Sequence, residues 1–255
     1  MISPVALQVL GLQIKWYGII MAIGFILGLF ISIKLAKKRN ISKETIEDLF
    51  IYLIPGSIIG ARLAAVILDY NYYITKPLEI FAVWHGGMAF HGGLIGAVLA
   101  SLYFCKKKNI KFYEIADIIV IPLALGLTLG RIGNFINQEF YGTLTNLPWG
   151  VYFDNVEGKR HPTQIYEAIK NLFIFIVLLF LYKFKKLKKG IIFWLFISLY
   201  SLLRFLIEFT KDQTRYYNLT YGQLISIPLF ILSIFMIYKI GKKTNIPKDL
   251  KIQHQ

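Results

Sequence analysis

"ADIIVIPLALGLTLGRIGNFINQEFYG", residues 116–142, decides the fold. Its first part, 116–130, is almost wholly apolar, and its second part carries Arg131, Asn134, Asn137, Gln138 and Glu139. A helix needs roughly 20 apolar residues to cross a bilayer. Strong hydrogen-bonding groups at membrane depth demand partners, because an unpaired one is costly there. The stretch therefore reads as a membrane-spanning helix that runs into a polar site.

The same apolar pattern recurs from end to end. The chain has 255 residues, 56% hydrophobic and 17% charged, with a mean hydropathy of +0.56. These values fit an all-α integral membrane protein better than a water-soluble α/β domain. Apolar runs predict a bundle of seven transmembrane helices at 16–36, 46–68, 87–105, 113–130, 165–183, 190–209 and 221–240. One membrane domain, 1–255, is expected.

A formal net charge of +15 would suggest nucleic acid in a soluble protein. Here the basic residues cluster between the spans, aromatic RNA-binding motifs are absent, and no nucleic-acid partner is expected. Lysines and arginines gather at 34–43, 106–111, 183–189 and 239–251, all on one side of a seven-span arrangement. Cytoplasmic loops collect such residues, so the N-terminus is expected outside and the C-terminus in the cytoplasm. Near an anionic leaflet these clusters also suit lipid head groups. Only Lys15 is charged before the first apolar run, and no small-residue cleavage site follows. The first span is therefore expected to be retained.

Two outward-facing connections are expected, 69–86 and 131–164, together with a loose basic cytoplasmic tail, 241–255. Within the second, "NLPWG" (146–150) reads as a turn and "WGVYF" as a short strand. Glycines four apart recur inside the spans: Gly24 and Gly28, Gly56 and Gly60, Gly92 and Gly96, Gly126 and Gly130. This spacing suits close helix packing.

Charges inside spans are expensive and usually face an interior cavity. Arg62 suits either packing or function. Arg204 has Glu208 one helical turn on, which suits an intrahelical pair as well as a functional role. If the signature begins as a helix, Arg131, Asn134 and Gln138 share one face. Guanidinium groups match phosphate through paired hydrogen bonds, and a phospholipid offers a phosphate at the outer interface. "HGGMAFHGGLIG" (85–96) holds His85 and His91 six apart. That spacing fits no zinc motif, and no metal is expected. Either histidine suits simple hydrogen bonding, or proton acceptance near neutral pH. In "KWYG" (15–18), Trp16 suits an interfacial anchor and Tyr17 a cavity. In "RHPTQIYEA" (160–168), His161, Gln164 and Glu167 shape the start of a helix. Cys105, the single cysteine, sits at the cytoplasmic end of its span, and no GxSxG elbow occurs. Any nucleophile would then come with a substrate.

Taken together, "GRIGNFINQEFYG", "HGGMAFHGGLIG", "KWYG", "RHPTQIYE" and "RFLIEF" resemble, in order and over essentially the whole chain, the blocks of bacterial prolipoprotein diacylglyceryl transferases. The resemblance implies a multi-pass enzyme of the bacterial plasma (inner) membrane with seven helices. It implies transfer of the diacylglyceryl group of phosphatidylglycerol to the lipobox cysteine of a prolipoprotein, forming a thioether and releasing glycerol phosphate. No cofactor is implied. His91, Arg131, Arg204 and Tyr17 correspond to catalytic positions, and Asn134, Glu139, Gly142 and Glu208 to substrate-binding ones. The chain departs at Gln138, where glycine is frequent, at Lys211, where arginine is common, and at His85, where glutamine is frequent. Two other classes use similar residues: a transporter or channel for an anionic solute, and another phospholipid head-group transferase.

Overall fold

A computed structural model describes residues 3–9, 12–154, 156–184 and 187–242. The predicted basic tail, 241–255, lies outside the described residues beyond 242, as do Lys185 and Lys186 of the third basic cluster. A short hairpin, β1 (Val5–Val9) with β2 (Leu12–Lys15), leads into α1 (Trp16–Lys37). There follow α2 (Lys43–Leu68), the short α3 (Tyr70–Thr75), α4 (Phe90–Lys107) and α5 (Phe112–Ile136). A two-residue pair, β3 (Val151–Tyr152) and β4 (Lys159–Arg160), precedes α6 (Thr163–Leu181) and α7 (Ile191–Ile207). A second small pair, β5 (Arg215–Tyr216) and β6 (Leu219–Thr220), precedes α8 (Tyr221–Lys242).

Among the described residues, six helical segments are long and apolar enough to cross a membrane: Trp16–Lys37, Lys43–Leu68, Phe112–Ile136, Thr163–Leu181, Ile191–Thr210 and Tyr221–Lys242. The protein is a mostly helical, multi-pass membrane protein with three small strand pairs. The expected strand in "WGVYF" is β3, whereas the β1–β2 and β5–β6 pairs are not among the elements expected from the sequence. The run 87–105 is helical as α4, with 18 residues and lysines in its last turn. Large apolar side chains such as Ile59, Ile67 and Phe30 are exposed. Water would penalise such a surface, whereas acyl chains match it.

By packing, the chain divides into two compact units, Leu29–Ile118 and Met1–Gly28 with Ile119–Gln255. In the first, α2 and α4 meet through glycines. A Cβ on Gly60 would strike the Gly92 carbonyl oxygen, and one on Gly96 would strike that of Gly56. Two of the four glycine pairs thus let backbones touch, as small-residue faces do. Gly28 and Gly126, by contrast, face open space. Ser42 caps α2, its hydroxyl accepting from the Thr45 N–H at 3.2 Å. Asp117, fully buried, is 3.6 Å from the Arg39 guanidinium.

Arg62 resolves toward packing. Its guanidinium donates to the carbonyl oxygens of Ile80 (2.9 Å), Gly86 (2.5 Å), Gly87 (2.9 Å), Ala82 (3.1 Å) and Glu79. It also lies over the Tyr73 ring, 5.1 Å from the centroid. Gly86 and Gly87, with φ of 91° and 67°, turn their carbonyls inward in a conformation that favours glycine. One planar fork thus fastens the whole connection 69–86. His85 joins it through Glu79, Nδ1 to Oε2 at 2.9 Å.

In the second unit, α5 does not stop at residue 130, as expected, but runs to Ile136. Gly130 and Gly133 are tolerated inside it because an amide at membrane depth has no better partner than the next helical carbonyl. The turn comes at Gln138, whose φ of 58° ends the helix. Gln138 therefore does not share the face of Arg131 and Asn134. Its amide clamps Asp154 instead, donating to Oδ2 at 2.6 Å and accepting from the Asp154 N–H at 2.8 Å.

Replacing Arg62 by Met should leave five carbonyls without this donor, that of Ala82 buried and the others part-buried, at a cost of roughly 1–3 kcal/mol each where no water reaches. Limited proteolysis of the purified protein should then cut between 69 and 86, and its Tm should fall. A protease-resistant Arg62→Met protein with an unchanged Tm would remove this fastening role.

Candidate active site

The second unit gathers most of the expected site residues. Arg131 and Asn134 occupy the last turns of α5, Glu167 lies on α6, and Arg204 ends α7. Glu208 opens a single 3-10 turn after α7. Tyr17, on the first turn of α1, lays its ring over Gly133, where a Cβ would come within 2.7 Å of it. Glu139 is reached by its own turn: its N–H bonds the Asn134 carbonyl at 3.1 Å, and its Oε1 accepts from Asn134 Nδ2 at 2.7 Å.

Behind these groups lies a buried chain of alternating charge. Lys170 Nζ is 2.6 Å from Glu167 Oε2, and Lys211 Nζ is 2.7 Å from Glu167 Oε1 and 2.8 Å from Glu208 Oε1. Arg204 Nη2 stands 3.3 Å from Glu208 Oε1, and Arg131 Nε 4.0 Å from Glu167 Oε2. Glu208 is fully buried, and its other oxygen accepts from the Thr220 hydroxyl at 2.9 Å. The four cations of this chain outnumber its two carboxylates. The lysines are buried, but the side chains of Arg131 and Arg204 are 23% and 22% exposed. The excess positive charge is therefore presented by guanidinium groups. Arg204 is partly engaged, its Nη1 donating to the Tyr200 hydroxyl at 3.3 Å. The intrahelical pair with Glu208 expected from the sequence is present.

Gly142 sits at a crossing of backbones. Its N–H donates to the His161 carbonyl at 2.9 Å, it bridges to Lys211, and a Cβ there would strike the Thr210 carbonyl oxygen. This close packing explains the glycine without a ligand. Gln164 Nε2 donates to the Glu139 carbonyl at 2.7 Å, which ties α6 to the turn after α5. His161 Nδ1 lies 3.1 Å from the Tyr166 hydroxyl. Buried acceptors without a partner among the described residues include Gln164 Oε1, Asn171 Oδ1 and Asn137 Oδ1, and such atoms suit ligand hydroxyls or water.

His91 belongs to the other unit, on the first turn of α4, exposed and edge-on to Phe90 with ring centroids 5.7 Å apart. Sequence reasoning passed over Lys170, Thr220, Gly222 and Gln223. Lys170 was a lone cation within an apolar run. "TYGQ" (220–223) has the spacing of a capping box: Thr220 Oγ1 accepts from the Gln223 N–H at 3.2 Å, and the Thr220 N–H donates to Gln223 Oε1 at 2.9 Å. A Cβ on Gly222 would fall on the Glu208 carboxylate.

Helices of this kind, enclosing a cation-rich polar site, define an integral membrane protein suited to an anionic ligand. The chain belongs to the prolipoprotein diacylglyceryl transferase family, whose model matches residues 4–239. It is 42% identical to the phosphatidylglycerol–prolipoprotein diacylglyceryl transferase of Finegoldia magna, over 97% of this chain and 99% of the relative. Its identity to the protein of the same name from Geobacter sulfurreducens is 39%, over 95% and 96%. With that from Clostridioides difficile it is 42%, over 94% and 96%.

Gly222→Ala leaves every charge in place but puts a methyl where the Glu208 carboxylate lies. Transferase activity should fall about tenfold, equivalent to roughly 1.4 kcal/mol. Wild-type turnover and Tm in Gly222→Ala would mean that the carboxylate's position is not critical.

Proposed function

We propose that this chain is a seven-span enzyme of the bacterial plasma membrane, with its N-terminus outside, that lipidates prolipoproteins. It transfers the diacylglyceryl group of phosphatidylglycerol to the lipobox cysteine. The thiolate attacks the glycerol carbon bonded to phosphate, a C–S thioether bond forms, and the C–O bond breaks with its electrons passing to the phosphate oxygen. Glycerol phosphate leaves, and no cofactor takes part. Relatives named phosphatidylglycerol–prolipoprotein diacylglyceryl transferase, 39–42% identical over nearly the whole chain, support the reaction, and the lysines clustered between the apolar runs, Lys106 and Lys107 in the last turn of α4 among them, support the orientation.

The observation that carries the site is the pair of partly exposed guanidiniums, Arg131 and Arg204, set against carboxylates already held by buried lysines. Arg131 and Arg204 bind the phosphate and stabilise the charge it gains as the bond breaks. Fixed cations away from water act strongly on such charge. Asn134 and Tyr17 donate further hydrogen bonds, Glu139 fixes Asn134, and Glu208 orients Arg204. Gly142 keeps the turn beside them closed. The imidazole of His91 accepts the thiol proton.

Purified protein in phosphatidylglycerol-containing mixed micelles should lipidate a lipobox peptide. Arg131→Lys and Arg204→Lys keep the charge but lose the fork, and each should lower turnover at least about tenfold, or roughly 1.4 kcal/mol. Absence of lipidated peptide from the wild-type protein would refute the transferase reading. Normal turnover by Arg204→Lys would leave that residue as Glu208's structural partner alone.

His91→Gln keeps a hydrogen-bonding side chain but removes the proton acceptor. Transfer should slow near pH 7 and recover in part as pH approaches the free thiol pKa, about 8.5, while His85→Gln stays close to wild type. Equal impairment at every pH, with weakened lipid binding, would make His91 a substrate ligand instead.

A further inference from the structure

Lys170 is a buried cation on α6 with no place in the mechanism above. Its ammonium meets Glu167 Oε2 at 2.6 Å and lies 3.9 Å above the centroid of the Tyr200 ring. Lys211 takes the other Glu167 oxygen at 2.7 Å. Both oxygens of this carboxylate are therefore held by lysines. Arg131 is left 4.0 Å from Oε2, and among the described residues its guanidinium has no hydrogen-bond partner and no other carboxylate within that distance.

We propose that Lys170 is a positioning residue that occupies the Glu167 carboxylate so that the Arg131 guanidinium stays free for the substrate phosphate. Without the ammonium, Glu167 Oε2 would lose the lysine that holds it, with Arg131 Nε 4.0 Å away. In a low-dielectric interior a carboxylate and a guanidinium close into a paired, charge-assisted contact. A phosphate would then have to break that pair before binding. Such a competing state reduces apparent affinity by the fraction of protein left competent. Once the pair is broken, the transition state is held as before. The burden therefore falls on ground state and transition state alike, which raises KM and leaves kcat unchanged.

The proposal rests on Arg131 binding phosphate, and the experiment separates the two. Transfer to a lipobox peptide is measured with the full chain over a range of phosphatidylglycerol in mixed micelles. Lys170→Met should raise KM for the lipid about tenfold, with kcat within about threefold of wild type. Lys170→Arg, which keeps a cation beside Glu167, should recover most of the loss. Adding Glu167→Gln to Lys170→Met removes the competing carboxylate and should recover it too. The double variant also carries no unmatched carboxylate at that position, so it answers the question if Lys170→Met alone fails to fold. A KM still raised about tenfold in the double variant, or an unchanged KM in folded Lys170→Met, overturns the role of Lys170. If Arg131→Met itself leaves KM and kcat at wild-type values, the phosphate-binding reading of Arg131 fails first, and this proposal with it.

Discussion

Glu208 is a carboxylate with no exposure to solvent at the end of an apolar helix, and much of the second unit is arranged to hold it. A buried charge costs several kcal/mol unless partners replace its water, and a membrane offers none. Three donors do so here, Lys211, Arg204 and Thr220. Each fixes something further. Thr220 is both the cap of α8 and a ligand of the carboxylate, so the β5–β6 pair and the start of α8 share one anchor. The backbone of Lys211 bridges to Gly142, so the same residue ties down the end of the polar signature. Gly222 is required because a side chain would stand in the carboxylate's place.

That arrangement also separates structure from chemistry among the cations. The buried lysines neutralise the carboxylates at short distance, and the arginines stand farther off and reach the surface. A compact ammonium with three donors suits a place between two carboxylates. The planar fork of a guanidinium suits an incoming phosphate. Arg62 shows the opposite use of the same fork, spent wholly on backbone carbonyls in the other unit. An arginine within an apolar run is thus ambiguous until its partners are known, and that is why the sequence left Arg62 open.

What was legible followed from regular physics. Apolar runs of bilayer length marked the helices, the Gly56/Gly60 and Gly92/Gly96 spacing marked a close crossing, and the Arg204–Glu208 spacing marked an intrahelical pair. The signature's polar residues were legible as a site because unpaired groups at membrane depth are improbable. Where α5 ends was not legible, since Gly130 and Gly133 resemble helix stops yet sit inside the helix. The fate of Gln138 depends on a left-handed turn, which no periodicity announces. Lys170 and Lys211 could not be paired with Glu167 from spacing alone. One contact is local to α6, whereas the other joins residues 44 apart in sequence.

The departure at Lys211, where the resemblance leads one to expect arginine, becomes intelligible beside Lys170. Lys211 lies 2.7–2.8 Å from one oxygen of each carboxylate. That single point charge joins Glu167 to Glu208, and hence the surroundings of Arg131 to those of Arg204. It leaves Glu167 Oε2 unmatched by itself. Lys170, three residues on from Glu167 on the same helix, reaches that oxygen at 2.6 Å, at the spacing where helical side chains meet. Two lysines thus divide between them the two oxygens of Glu167. A lone cation in an apolar run is therefore intelligible only once the partner of the oxygen it covers has been identified.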